Sequence, residues 1–322
     1  MNVLVIGKSG TIGGWAEYIS TAFEREGYTS YVFAVAGNSH LQHLKCKLYK
    51  SKQSQYEKYM VARFEKFIVK HPVDICISLC SYTVPSVLFE CLRNQYPNCF
   101  NIAWVADKFD QEAQYSASLF DQIYYTDTRF MIDHNALGFE SPANYMPHAV
   151  APETFSISTQ NRIDKMLLVT NRTALREQLV EAIKQPIQVC GRGWKRYKSH
   201  SRHKISPHKV ALKKLPVLFR QYLAVLNIKN EDYLLHGLTQ KSFEPFSCKT
   251  VVVHEAVADI DRCFEPEKEM LVFHSEEELN SIYDKLLNDS AYVKKIANAG
   301  YKRVTASHTY SHRIAEFIRA AS

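Results

Sequence analysis

Short apolar runs bounded by glycine, proline and polar turns alternate along this chain with stretches whose apolar residues recur every three or four positions. Val3–Ile6 is the first run and ends at Gly7; Ala16, Ile19, Ala22 and Phe23 then repeat at helical spacing, which reads as strand, glycine-rich turn and helix. A second strand is expected at Tyr31–Val35, a long helix from about Ser54 to Val69, and a buried parallel strand at Val73–Cys80, where β-branched residues follow Pro72. NCFNIAWVAD and DQIYYTD repeat the strand pattern. Strands separated by helices imply parallel βαβ units wound on both faces of a sheet.

The alternation pauses at Ser156–Arg162, a polar stretch expected to link two domains, and then resumes. KMLLVT predicts a strand, Ala174–Ile183 a helix, PIQVCG a strand, Lys209–Tyr222 a helix and LAVLNI a strand. Gln240–Ser247 should open a helix and KTVVVH form the next strand, while Ser275 with Glu278 makes a capping box for a helix carrying Leu279, Ile282, Leu286 and Leu287. A last helix is expected at Thr309–Ala320, with Ile314, Phe317 and Ile318 on its apolar face.

Length agrees with two such α/β units, since 322 residues exceed the usual single domain. With 46% hydrophobic and 23% charged residues the chain is of ordinary globular composition, which excludes disordered and fibrous classes. No apolar run approaches the roughly 20 residues that span a bilayer. MNVLVIG begins directly on a strand with no signal-peptide pattern, so a cytoplasmic location is expected. The eight cysteines form no CxxC pair and no cluster at metal-ligand spacing, so they are expected to be reduced structural thiols and no metal is expected. The formal charge of +7 favours acidic partners: nucleotide phosphates, anionic glycans or peripheral contact with an anionic membrane face.

Two segments carry candidate chemistry. GKSGTIGG places Gly7, Gly10, Gly13 and Gly14 between a strand and a helix, where backbone N–H groups bind phosphate and glycine admits close approach; Gly13 and Gly14 are the candidate contacts. The same spacing occurs in nicotinamide-dependent short-chain dehydrogenases. None of the nineteen tyrosines has a lysine four residues on, and YVFAVAGN lacks the acidic residue that would hold the NAD ribose, which argues against that chemistry. The second segment, Gly191–Lys204, is strongly basic with Trp194 and Tyr197 interleaved. Phosphate contacts plus stacking aromatics suit nucleic acid, while a solvated loop near a phosphate cleft is the simpler reading.

From Leu223 onward the chain resembles the glycosyltransferase-like C-terminal domain of CgeB-type proteins, relatives of the retaining GT-B glycosyltransferases. The matching pieces are the strand ending at Leu226-Asn227, Phe243-Glu244 opening a helix, Phe264-Glu265-Pro266, Glu277-Glu278-Leu279, Ala299-Gly300, and His308-Thr309-Tyr310 followed by Arg313. AWVADKF, FDQIYYTD and LGFESPANYMPHAVAPETF extend the similarity weakly into the first half, leaving Cys46–Lys70 unassigned. The resemblance implies an α/β GT-B fold of two Rossmann-like domains facing a cleft, residues 1–155 and 156–307, with a helix at 308–322 packing back on the first domain. It also implies transfer of a sugar from a UDP- or GDP-linked donor to a glycan, protein or other hydroxyl acceptor. The nucleotide sugar would then be a co-substrate, with no cofactor.

In that frame Glu244 falls to the ribose diol, because two adjacent hydroxyls can donate to one carboxylate; a glutamate complementing a helix dipole is the structural alternative. Retaining relatives carry a second glutamate eight residues earlier, facing the sugar, and here that position is His236. Gly237, Leu238 and Thr239 would offer backbone N–H groups and a hydroxyl to the donor phosphates. Lys241 stands where the family has arginine, and Lys249 where it has glycine. Arg172 after KMLLVT, Arg192 with Gly191 beside it, and Lys241 are the cations expected to meet the leaving diphosphate. Asp107, after NIAWV, is the candidate general base for an inverting reaction, or a helix cap; Asp110 and His148 are further candidates. Two other readings stay open. One is a phage-type DNA glucosyltransferase, and the other is a catalytically silent nucleotide- or glycan-binding protein, motivated by the missing glutamate.

Overall fold

A computed structural model describes the chain outside residues 8–13, 38–39, 50–51, 80–81, 83, 158–161, 198–201 and 230–234. The chain divides into two compact units, Met1–Pro147 together with Tyr310–Ser322, and His148–Thr309. The expected boundaries stood at 155/156 and 307/308.

The first unit runs β1 (Asn2–Gly7), α1 (Trp15–Arg25), β2 (Thr29–Ala34), α2 (His40–Tyr49), α3 (Gln53–Ile68), β3 (Ile75–Ser78), α4 (Val87–Gln95), β4 (Phe100–Val105), α5 (Gln114–Ala117), β5 (Gln122–Tyr125), α6 (Thr128–Ala136) and β6 (Ala143–Tyr145). Its six strands pair in parallel in the order β2-β1-β3-β4-β5-β6. Parallel strands are covered on both faces, so they read as continuous apolar runs; Val3–Ile6 and Ile75–Ile77 are buried throughout. The stretch Cys46–Lys70, which the family pattern left unassigned, supplies the end of α2 and all of α3, and α3 buries Met60, Phe64 and Ile68 at helical spacing.

The second unit runs β7 (Ile163–Val169), α7 (Ala174–Ala182), β8 (Gln188–Cys190), β9 (Lys204–Ser206), α8 (Leu215–Gln221), β10 (Tyr222–Asn227), α9 (Glu244–Ser247), β11 (Val251–Glu255), α10 (Ile260–Cys263), β12 (Leu271–Phe273), α11 (Glu276–Asn288) and α12 (Ser290–Ser307). Its parallel sheet has the order β12-β11-β10-β7-β8-β9, the doubly wound dinucleotide-binding arrangement. The core gathers Met166, Leu168, Val189, Leu226 and Val253 from the strands with Val180, Leu279, Tyr283 and Ile296 from the helices. Ser275 caps α11 as expected, its hydroxyl accepting from Glu278 N at 3.2 Å, while the Glu278 carboxylate reaches back to His274 N at 2.7 Å.

Two expectations fail locally. The helix expected over Lys209–Tyr222 shrinks to a 3-10 turn at Leu212–Lys214 followed by Leu215–Gln221. Pro216 tolerates only the first turn of a helix, and Tyr222 is already in strand register opposite Ile163. The link expected at Ser156–Arg162 falls inside the second unit, which begins at His148, and residues 158–161 of it lie outside the described residues. The Arg162 guanidinium donates to the carbonyls of Tyr222 at 3.0 Å, Cys248 at 3.0 Å and Lys249 at 2.8 Å, and to the Thr250 hydroxyl, so it locks β7 to the starts of β10 and β11. A guanidinium is suited to this because its five donors sit in a fixed fork.

The final helix, α13 (Tyr310–Ala321), completes the first unit. Tyr310, Arg313, Ile314 and Phe317 form one buried stripe. Phe317 packs edge-on against Trp104 at 5.5 Å and against Tyr124 at 5.6 Å, Tyr310 lies 5.8 Å from Tyr18, and Arg313 Nε donates to Pro147 O at 2.9 Å. Truncating Phe317 would leave a cavity beside two aromatics. Phe317→Ala is therefore expected to cost about 3–5 kcal/mol in denaturant unfolding, and a loss below about 1 kcal/mol would contradict this packing.

Candidate functional site at the switch point of the second sheet

In an open parallel sheet, ligands bind outside the carboxyl ends of the strands where the winding direction reverses. In the second unit the chain moves from β7 outward to β8 and β9, then returns to the other side of β7 to lay down β10, so the reversal falls between β7 and β10. The segment after β10 is clamped over that gap from both sides. Lys241 Nζ donates to Val169 O at the end of β7 at 2.7 Å, and Asn227 Nδ2 at the end of β10 donates to Lys241 O at 2.8 Å.

Three residues past Lys241, Glu244 opens α9 and is 2% exposed. Burial pushes its carboxyl up to about 8, opposed by the Lys241 charge. Burial likewise pulls the Lys241 ammonium down to about 8, helped by the Arg176 charge and opposed by Glu244. Arg176, itself buried, donates to Asn171 O at 3.2 Å and Lys229 O at 3.5 Å, thereby bridging the loops that leave β7 and β10. Beneath them Ser242 and His254 fix one another. His254 Nδ1 lies 2.6 Å from the Glu255 carbonyl and must donate to it, and burial holds the ring neutral by pulling its pKa down to about 4. Nε2 at 3.0 Å therefore accepts from the Ser242 hydroxyl.

On the other side of β7, the turn after β8 is built on Gly191. Its φ is +151°, and a Cβ there would lie 1.8 Å from Thr170 O. That contact lets the two loops zip together: Arg172 N donates to Arg192 O at 2.9 Å, Arg192 N to Asn171 Oδ1 at 3.3 Å, and Trp194 Nε1 to Thr170 O at 2.9 Å. Arg172 pairs with Glu177 on the loop surface, and Arg192 is exposed. Arg172, Gly191, Arg192 and Lys241 thus all sit on the carboxyl edge around β7, with Glu244 three residues beyond Lys241.

The remaining expected residues are placed differently. Gly237 and Leu238 are buried, Thr239 is half-buried and precedes the 3-10 turn Gln240–Ser242 without a side-chain capping bond, and His236 offers its carbonyl to Asp259 N at 3.0 Å. Asp107 lies two residues beyond the end of β4 in the first unit and is exposed, and the cap of the following turn is Asp110, which accepts from Glu112 N at 3.0 Å. His148 is buried. Gly14 has φ +68° at the start of α1, a left-handed geometry that favours glycine, with the Tyr18 ring 3.1 Å from where a Cβ would stand. Gly13 lies outside the described residues. Trp194 is fully buried and Tyr197 packs on it at 5.5 Å, so neither ring is presented for stacking on a base. Among the described residues no three His, Cys, Asp or Glu side chains form a metal-binding group, and no helix is long and apolar enough to cross a membrane.

Residues 172–319 match the family described as glycosyl transferase-like. The whole chain shares its GT-B fold with a sucrose-phosphate synthase from Thermosynechococcus elongatus (TM-score 0.72, 14% identity, 100% of both chains covered). It is also similar to the Anabaena protein HepE in complex with UDP-glucose (0.66, 11%, 99% of this chain and 100% of that one) and to a glycosyltransferase from Rickettsia africae (0.68, 11%, 99% and 97%). No curated protein sequence matches the chain.

The geometry of the second unit bears on two positions of the resembled pattern. A Cβ on Gly300 would stand 2.2 Å from the Phe246 ring, so glycine is what lets α12 close over α9. Lys249 has φ +52° just after α9, which explains why a glycine is usual there. The left-handed conformation costs lysine roughly 1 kcal/mol. Its Nζ lies 5.0 Å over the Tyr301 ring and its carbonyl accepts from Arg162, contacts that offset the strain.

Arg176, Ser242 and His254 were not singled out from sequence, and Asn227 entered only as a strand end of the resembled pattern. The first unit holds a second unforeseen network. Tyr82 and Tyr125 hydroxyls meet at 2.8 Å, Tyr125 reaches His134 Nδ1 at 2.9 Å, and His134 Nε2 lies 3.0 Å from Ser141 O. Because a carbonyl only accepts, Nε2 carries the proton, Tyr125 donates to Nδ1 and Tyr82 donates to Tyr125.

Gly191→Ala is expected to destabilise the second unit by about 3 kcal/mol or more, read as a drop in unfolding midpoint, since both φ and the Thr170 carbonyl oppose a side chain. Glu244 also sets a pH dependence. Its pKa is raised in the folded state from an ordinary 4.5 to about 8, so the folded chain keeps a proton the unfolded chain releases. Its contribution to stability is therefore full below about 4.5 and is lost as pH rises through about 8. Glu244→Gln should flatten that slope, and equal slopes in the two proteins between pH 5 and 8 would refute it.

Proposed function

We propose that this chain transfers a sugar from a nucleoside diphosphate donor, UDP- or GDP-linked, to a hydroxyl of a glycan or protein acceptor. The observation that carries the reading is the buried Lys241–Glu244 segment clamped over the switch point of the second sheet. The family match supports it, and so does a structural relative held in complex with UDP-glucose.

In this reading the Glu244 carboxyl receives the ribose diol. Left alone in an apolar setting it favours the protonated form, and two ribose O–H donors together with Lys241 would favour the carboxylate. Lys241, Arg172 and Arg192 would meet the diphosphate as the bond between the anomeric carbon and its bridging oxygen breaks, with no metal required. The acceptor oxygen forms the new bond to the anomeric carbon and loses its proton. Asp107 is the proposed base if configuration inverts. His236 stands where retaining relatives place a carboxylate and would hydrogen-bond a sugar hydroxyl instead. The nucleic-acid reading is weaker, because Trp194 and Tyr197 are occupied within the fold. A silent binding protein on the same scaffold is the second reading, favoured by the histidine at 236.

Calorimetry with UDP and GDP tests the site. Glu244→Ala should weaken the preferred nucleotide about 10- to 100-fold, the range for losing charge-assisted hydrogen bonds, and unchanged affinity would remove Glu244 from the site. Incubation with a panel of nucleotide sugars separates the two readings. Donor hydrolysis or transfer that disappears in Glu244→Ala supports an enzyme, and nucleotide binding with no turnover of any donor supports the silent protein.

A further inference from the structure

The excess of positive charge in the chain comes from one segment. Residues 182–230 contain twelve of the forty Lys and Arg and none of the thirty-three Asp and Glu, so the rest of the chain, with twenty-eight bases against all thirty-three acids, is net −5. About a quarter of the segment is charged, close to the chain-wide 23%, so the density is ordinary and only the sign is biased. A merely solvated surface requires no such bias in sign.

The fold brings several of these charges to the β9 edge of the second sheet, while Lys229 after β10 is paired with Glu255 and Arg220 is bonded to Ser156. β9 is the edge strand, pairing only with β8 among the described strands, and Lys204 on it is exposed. The turn after β8 and the loop after β9 leave adjacent parallel strands side by side, tied by Gly191 N donating to Ser206 O at 3.0 Å. Lys195 and Arg196 on the first, and Lys209, Lys213 and Lys214 on the second, are exposed and pair with no carboxylate among the described residues. Lys213 and Lys214 close the 3-10 turn that runs into α8, four and three residues before Val217, an apolar side chain that is 43% exposed.

We propose that this edge docks the protein on an anionic lipid surface. Basic side chains attract acidic headgroups at about 1 kcal/mol each, and an interspersed aliphatic residue enters the headgroup boundary. The net negative remainder would be repelled by the same surface, so attraction is expected through this segment alone. Nucleic acid fits less well, because the aromatic rings of the segment are packed inside the fold: Trp194, Phe219 and Tyr222 are buried and Tyr197 lies against Trp194.

The test is sedimentation of the full chain with vesicles of phosphatidylcholine alone or with about one-third phosphatidylglycerol. Binding is expected only to the anionic vesicles and should fall steeply with added salt. Lys195→Glu with Arg196→Glu and Lys213→Glu should weaken partitioning at least about tenfold. Lys294→Glu with Lys295→Glu and Lys302→Glu makes the same change in net charge on the exposed face of α12 and should leave binding within about twofold. If the first variant failed to fold, the corresponding glutamine substitutions would read the same surface. The proposal is overturned if wild type ignores anionic vesicles at low salt, if both triple variants lose binding equally, or if duplex DNA binds as tightly and displaces the vesicles.

Discussion

The second unit turns on one constraint: a lysine and a glutamate must be kept out of water beside the ends of β7 and β10. Isolated charges there would be prohibitive, so each is tuned toward neutrality and held by neighbours. Lys241 spends a proton on the Val169 carbonyl, its own carbonyl is taken by Asn227, and the Ser242–His254 pair supports the turn from below. Every one of those partners sits at or near a strand end. The sheet order and the polar segment therefore depend on each other: without the reversal between β7 and β10 there is no gap for the segment to cover, and without the segment the strand ends lose their partners.

How far this was legible in the sequence depends on the range of the interactions. The βαβ alternation, the capping box at Ser275 and the apolar stripe of the last helix are local, and they appear at the expected places within a few residues. The helix expected over Lys209–Tyr222 was misjudged because Pro216 and the strand pairing of Tyr222 outweigh a run of good helix formers. Arg162 looked like part of a polar linker, since nothing nearby in sequence shows that its partners lie sixty and more residues away. Trp194 looked like a surface aromatic among lysines, yet its indole fills the space above Thr170. In each case the deciding contact is long-range, and composition carries no trace of it.

Glu244 and Lys241 were legible only through their resemblance to a family pattern. Their burial and their shifted protonation came from the fold. The departures from that pattern proved unequal. Lysine at 249 is accommodated by an offsetting contact with Tyr301, whereas histidine at 236 removes a charge from a position that retaining relatives keep acidic.

The return of Tyr310–Ser322 to the first unit bears on how the molecule is made. Phe317 and Tyr310 fill the space beside Trp104 that the first 147 residues leave open, so the first unit is a discontinuous domain. During synthesis its sheet can form early, but its core closes only after the last helix leaves the ribosome. The second unit, contiguous between His148 and Thr309, can finish folding before its predecessor does, reversing the usual N-to-C order. A chain interrupted before Tyr310 would therefore hold one finished unit and one with an aromatic gap in its core.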